Sequence, residues 1–204
     1  PFVGDTIFLA IDDTLARKRG LKMFGTGMHH DPLLSSRGKA VTNWGHNWVV
    51  MGVIVRFPLW PERPFCLPIL FRLYLGKKRA RKERRVYRTR PELAVEMLRL
   101  VCRHCKTARF HAIADSAYGG QSVLSELPEN CDLTSRLLLN ARLYEAPSPR
   151  KPGKRGRRRK RGDRLPTPNQ MLDARAARLD LQIYGRRERA RVCNLEGRVY
   201  AVPE

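Results

Sequence analysis

Two apolar runs of the chain end in the same way. Ile7 to Ile11 runs into Asp12-Asp13-Thr14, and Phe110 to Ala114 runs into Asp115, with Gly119-Gly120 shortly after. Short apolar runs bounded by turn signals predict buried strands, so each run holds a carboxylate at the edge of the core. Leu15 to Ser36 has no period. Gly20, Gly25, Gly27, His29-His30 and Pro32 interrupt it, and it reads as loop. Trp44 to Phe57 is rich in β-branched and aromatic residues and predicts a long strand. Phe65 to Leu75 predicts another, which Pro68 confines to an edge or a bulge. With the first strand these make an antiparallel meander.

The period then changes. Thr89-Arg90-Pro91-Glu92 has the form of a helix start, with Pro and Glu in the first turn. Leu93, Met97, Leu100 and Val101 follow at helical spacing, so Pro91 to Cys105 reads as an amphipathic helix. Arg109 to Ala114 is the next strand, Gln121 to Leu127 a short helix, and Leu133 to Glu145 a last core strand. This is an α/β pattern occupying residues 1–146. Residues 147–168 form a Pro/Gly-rich arm with ten basic residues against one acid. Residues 169–204 hold a helix at Asn169 to Leu179 and strands at Leu181 to Tyr184 and Val199 to Val202. They read as a partial, β-rich second unit.

Charge sharpens this picture. The 204 residues carry 41 Lys and Arg against 19 Asp and Glu, a net charge of +22. Such a balance favours nucleic acid over an acidic protein or a membrane surface as partner. The basic residues concentrate in two stretches. The first offers Lys77, Lys78, Arg81, Arg84 and Arg85 as phosphate contacts, and the second Arg155, Arg157, Arg158, Arg159, Lys160 and Arg161. A charge run is often only a solvated face, but runs this one-sided repel themselves unless a polyanion neutralises them. Arginine in particular suits bidentate phosphate contacts. No run approaches the roughly eighteen apolar residues of a membrane span. The five cysteines are odd in number and scattered, which points to reduced thiols and a cytoplasmic setting. Cys102-Arg-His-Cys105 lacks the further ligands of a zinc site and reads as core thiols. His29-His30-Asp31 reads as solvated loop, and Gly25-x-Gly27 lacks the context of a nucleotide loop.

Two strand-end carboxylates in a basic chain suggest metal-assisted phosphodiester chemistry. Mg²⁺ takes oxygen ligands, typically one or two carboxylates plus phosphate and water. Paired metals can activate an attacking oxygen and stabilise a leaving one. Asp12 and Asp115 are the candidate catalytic and metal-ligating residues, with Mg²⁺ or Mn²⁺ as cofactor. Taken alone, Asp12-Asp13-Thr14 reads more readily as a turn or helix-cap signal after a strand; Asp115 in matching context favours the metal site.

At these residues a resemblance emerges. The order strand–Asp, two long strands, helix, strand–Asp, helix resembles the ribonuclease-H-like fold. IDDT and IADSAYG resemble the first and second acidic motifs of DDE transposases from bacterial insertion sequences. WGHNWVVMGVIV, RTRPELAVEML and GRRRKRGDRLPTP resemble the subgroup of DDE superfamily endonucleases. The resemblance runs over about residues 7–168. It implies a mixed sheet flanked by helices, with Asp12 as the first metal ligand, Asp13 on the opposite face of its strand, and Asp115 as the second ligand. It also implies DNA as substrate, Mg²⁺-dependent nicking followed by attack of the freed 3′-hydroxyl on target DNA, and a homo-oligomer on DNA. The family uses a third acid, usually Glu, on a later helix among Tyr, Arg and Lys. Tyr184-Gly185-Arg186-Arg187-Glu188 has Tyr and Arg in similar order, but residue 191 is Arg and Glu204 follows no helix. The expectation is therefore a chain that stops before that helix. Two rival expectations stand beside this one: a catalytically incomplete nucleic-acid-binding remnant, and an unrelated basic RNA-binding protein.

Overall fold

The apolar stretch around Trp48 to Val55 lies between neighbouring strands of the larger sheet. In this computed structural model, which describes residues 6–20, 22–36, 38–149, 153, 156–157, 159, 161–183, 185–194 and 197, it belongs to β3, Thr42–Phe57. β1 is Thr6–Arg17, β2 Gly27–His30 and β4 Trp60–Tyr74. β3 pairs antiparallel with β1 on one side and with β2 and β4 on the other. β5, Arg109–Ala114, lies parallel to β1, and β6, Cys131–Ser135, parallel to β5. The order β2-β3-β1-β5-β6, with β4 also on β3, is a mixed sheet. With helices against it, this is the ribonuclease-H-like α/β arrangement.

Helix α1 is Lys77–Lys82, α2 Arg90–His104 and α3 Gln121–Leu124. α2 begins as its sequence predicts. The Thr89 hydroxyl accepts from the Glu92 amide at 3.3 Å, and the Glu92 carboxylate accepts from the Thr89 amide at 2.6 Å, a reciprocal capping box. Leu93, Ala94, Met97, Leu98 and Cys102 of α2 pack on Leu9, Ile11, Val49, Met51, Phe110 and Ala112 of the sheet. Leu100 and Val101 lie at the margin, because the buried stripe centres one residue earlier.

Several elements differ from their sequence expectation, each for a local reason. β1 continues through Asp12-Asp13 to Arg17, since β3 offers a ladder as far as Gly45. The acids therefore sit within the strand rather than after it. The expected loop contains β2. The basic stretch contains α1, whose Ala80 is buried while Lys77, Lys78 and Arg81 stay exposed. β6 spans Cys131–Ser135 rather than Leu133 to Glu145, and α3 stops at Leu124. Pro68 does fall at an irregularity: on the edge strand β4 it faces Gly52 of β3 while Leu70 faces Met51, which leaves Ile69 as the extra residue. Cys102 is buried but Cys105 is exposed. Burial first, with Cys131 beside it, pushes the Cys102 thiol up to about 12, so it is an inert core thiol.

The chain divides into two compact units, Pro1–Arg136 and Leu137–Glu204. The second contains α4, Pro168–Arg175, and an antiparallel pair, β7 Ala177–Ile183 and β8 Arg186–Val192. The expected helix to Leu179 ends at Arg175, where Leu179, Leu181 and Ile183 take up an alternating strand pattern. The expected strand at Val199 to Val202 lies outside the described residues, as does Tyr184. Among the described residues no helix is long and apolar enough to cross a membrane.

Asp31, expected in a solvated loop, is buried at 1% exposure. It accepts from Arg17 Nε at 2.6 Å, Arg17 Nη2 at 3.1 Å, Asn43 Nδ2 at 2.7 Å, and the amides of Leu33 and Leu34 at 3.1 and 3.3 Å. The Arg17 guanidinium holds this carboxyl well below the usual carboxylate range. A depressed folded pKa means the stabilisation is present above the unfolded value of ~3.9 and is lost as pH falls below it. Urea midpoints between pH 5 and pH 2 are expected to fall more steeply in the wild type than in Asp31→Asn. Parallel curves would show that the pair does not couple to folding.

Candidate active site

Alternation along β1 separates its two acids. Leu9 and Ile11 point to α2, and Asp13 follows them on that face. Asp12 falls on the other face with Phe8 and is exposed. The register of β1 with β5 ends at Ile11 opposite Ala114. Asp12 and Asp115 are thus the next residues of two adjacent parallel strands, which run about 4.8 Å apart. The chain remains extended at Asp115, with φ −77° and ψ −177°.

The two carboxylates are lightly engaged. Among the described residues, Asp12 Oδ1 accepts only from the Asp13 amide, at 2.8 Å. Asp115 Oδ1 accepts from the Ala117 amide at 2.9 Å and so caps the single 3-10 turn Ser116–Tyr118. Neither has an ion-pair partner among the described residues. The Asp115 backbone is fixed from two sides. Its carbonyl accepts from the Ser135 hydroxyl at 2.6 Å and from the Tyr118 amide at 3.2 Å. Gly119 permits this contact: a Cβ there would stand 2.6 Å from Ser135 Oγ.

Asp13 is differently placed. It accepts from Arg90 Nη1 at 2.6 Å, Asn47 Nδ2 at 3.2 Å and the Tyr118 hydroxyl at 3.2 Å. Burial opposes the Arg90 charge, but Asp13 outweighs it and raises the Arg90 pKa. Tyr118 is 1% exposed. Burial, then Asp13, and more weakly Asp115, drive its pKa upward, so it remains a hydrogen-bond donor. Arg90 also lies over the Tyr74 ring, 5.6 Å from its centroid. The His29 ring meets Tyr74 edge-on at 5.8 Å, and its pKa is lowered by burial and then by Arg90. None of these partners of Asp13 was singled out in the sequence. The available signals were an arginine at the first position of a capped helix and a tyrosine three residues after Asp115.

The donor set fits a hard cation. Asp12 and Asp115 offer oxygen ligands that pair with no cation among the described residues, whereas Asp13 is already neutralised by Arg90. Among the described residues no three His, Cys, Asp or Glu side chains converge as a metal cluster. Glu188 lies in strand β8 rather than on a helix.

The basic residues form an open surface in each unit. Lys77, Lys78, Arg81, Arg84 and Arg85 are exposed around α1, while Arg79 turns inward to Glu83 at 3.0 Å. Arg84 closes the helix with φ 51°, a left-handed conformation usually left to glycine. In the second unit Arg157, Arg159 and Arg161 are exposed, and Arg161 lies over the Tyr144 ring at 4.8 Å. Arg155, Arg158 and Lys160 lie outside the described residues.

No curated protein and no solved structure matches the chain. Residues 1–194 match the family described as DDE superfamily endonuclease, which spans both units and both acidic motifs. With its mixed sheet and its two acids on adjacent strands, the chain belongs to the DDE superfamily endonuclease family.

Proposed function

We propose that this chain is the catalytic portion of a DNA transposase, and that Asp12 and Asp115 hold Mg²⁺ or Mn²⁺ for strand nicking and strand transfer. The observation that carries this reading is the placement, at the next register position of neighbouring parallel strands, of two carboxylates that have no cation partner among the described residues. The metal would supply activation of the attacking oxygen and stabilisation of the leaving one. The chain's own contribution is rigidity and charge. The Ser135 hydroxyl and the Ala117 amide fix Asp115, and the β-ladder fixes Asp12. Lys77, Lys78, Arg81, Arg84 and Arg85 bind the DNA backbone from one surface, and the basic residues of 155–161 bind it from another. Charge-assisted contacts of this kind position a duplex without reading its sequence.

A second reading keeps DNA binding and drops catalysis. What favours it is the lack of a three-acid cluster among the described residues. The two are separated by incubating supercoiled plasmid with the protein in Mg²⁺, Mn²⁺ and EDTA. The first reading expects metal-dependent open circles, and the second expects retarded but uncut plasmid.

The Gly119 contact gives a finer test. In Gly119→Ala the new methyl meets Ser135 Oγ and forces it off the Asp115 carbonyl. A displacement of this size near reacting atoms costs on the order of 10- to 100-fold in rate. Nicking is expected to fall accordingly, and Ser135→Ala, which removes the same hydrogen bond without a clash, to show a comparable loss. Full activity in Gly119→Ala would show that the clamp on Asp115 is dispensable.

A further inference from the structure

The β7–β8 pair carries chemistry that neither the acids nor the two basic stretches use. Its register runs from Ala177 opposite Val192 to Ile183 opposite Arg186. Alternation gives it two unlike faces. One face holds Ala177, Leu179, Leu181, Ile183, Ala190 and Val192, with Glu188 and Arg186 toward the turn. The other holds Arg178, Asp180 and Gln182 opposite Arg191, Arg189 and Arg187.

The polar face is only partly self-satisfied. Asp180 accepts from Arg189 at 3.3 Å, and Arg191 reaches the Leu172 carbonyl and the Asp173 carboxylate. Arg178, Gln182 and Arg187 have no partner among the described residues. Arg178 also stands directly across from Arg191. Like charges directly opposite on one face destabilise a strand pair. A polyanion lying on that face turns the same arrangement into an attraction.

We propose that the Arg-rich face of the β7–β8 ribbon enters the major groove of duplex DNA, with Arg178 and Arg187 on phosphates and Gln182 on base edges. The inference rests on the reading of DNA as partner. The major groove, about 12 Å wide, admits a two-stranded ribbon. Guanidinium groups pair with phosphate oxygens in bidentate fashion. The Gln182 amide, opposite Arg187 near the tip, can donate and accept at the adenine edge at once. The ribbon thereby adds base preference to a surface that otherwise holds only backbone.

The test is fluorescence anisotropy of the whole chain on a labelled duplex across a NaCl series. Each lost phosphate contact lowers the slope of log affinity against log salt by ~0.9. Arg178→Gln/Arg187→Gln is expected to lower the slope by about two, and Arg178→Lys/Arg187→Lys to retain it. Lys77→Gln/Lys78→Gln/Arg81→Gln serves as the independent comparison. Gln182→Ala is expected to leave the slope intact and to flatten the base preference recovered from a random duplex library. An unchanged slope in the Arg178/Arg187 double variant, with a lowered slope in the α1 variant, overturns the ribbon contact alone. A wild-type chain without salt-dependent DNA binding overturns the DNA reading itself, and this inference with it. Circular dichroism of the variants, which replace only exposed side chains, checks that the fold is retained.

Discussion

Replacing Asp115 with Asn is expected to reduce Mg²⁺-dependent plasmid nicking by at least about 1,000-fold while leaving DNA affinity within a few-fold. A carboxylate ligand sets both the position and the charge of the cation that stabilises the reacting oxygens. Losing about 4 kcal/mol of that stabilisation corresponds to roughly three powers of ten in rate. Asp12→Asn is expected to match it, because Asp12 occupies the adjoining register position and has no cation partner among the described residues. Asp13→Asn is the informative contrast. Asp13 is held by Arg90, Asn47 and Tyr118, so its loss is expected to loosen α2 and to cost stability before chemistry. The opposite pattern, a silent Asp12→Asn and an inactive but fully stable Asp13→Asn, would move the ligand to the α2 face, where Tyr118 adjoins Asp13 and feels the charge of Asp115. Undiminished nicking in Asp115→Asn would remove the metal-site reading altogether.

The second large effect concerns the strand that delivers Asp115. Phe110 is 1% exposed and packs in the cluster with Leu9, Met97, Leu98 and Tyr118. Its neighbours belong to the sheet and to α2, and the sheet ladder limits how far they can close a hole. Phe110→Ala is expected to cost about 4 kcal/mol, the sum of lost transfer energy and residual cavity. Phe110→Leu is expected to keep most of the stability. Urea unfolding followed by tryptophan fluorescence measures both. A loss under about 1 kcal/mol would mean that β5 collapses onto α2 without a cavity.

The meander was legible because Trp44 to Phe57 and Phe65 to Leu75 are long, β-branched and aromatic, and Pro68 marked its own irregularity. α2 was legible from Thr89 to Glu92, since a capping box is a local interaction. The same locality explains what was missed. β2 and the second half of β1 exist only because β3 supplies a partner, and Gly27 to His30 has no apolar alternation of its own. α1 hid behind its charge, with Ala80 its one buried contact. Leu179, Leu181 and Ile183 alternate, but Ala176-Ala177 and Arg178 before them read equally well as helix. At the site, the pair Asp12 and Asp115 came from two strand-end motifs. The pairing of Asp13 with Arg90 could not, because it joins residues distant in sequence and depends on which strand face each acid takes.

The parallel pairing of β1 with β5 has a consequence for how the protein is made. Thr6 finds Arg109 only after β2, β3, β4 and α2 have been synthesised. The antiparallel strands β1, β3 and β4 can associate while the chain is still emerging, because β4 follows β3 almost directly and the cost of closing the longer connection from β1 to β3 grows only slowly with its length. β5 must then dock against a β1 edge that has been waiting unpaired, the kind of non-local step that slows folding. During that interval Asp12 stands on an open strand edge without Asp115, so the two acids come together only once the sheet is closed.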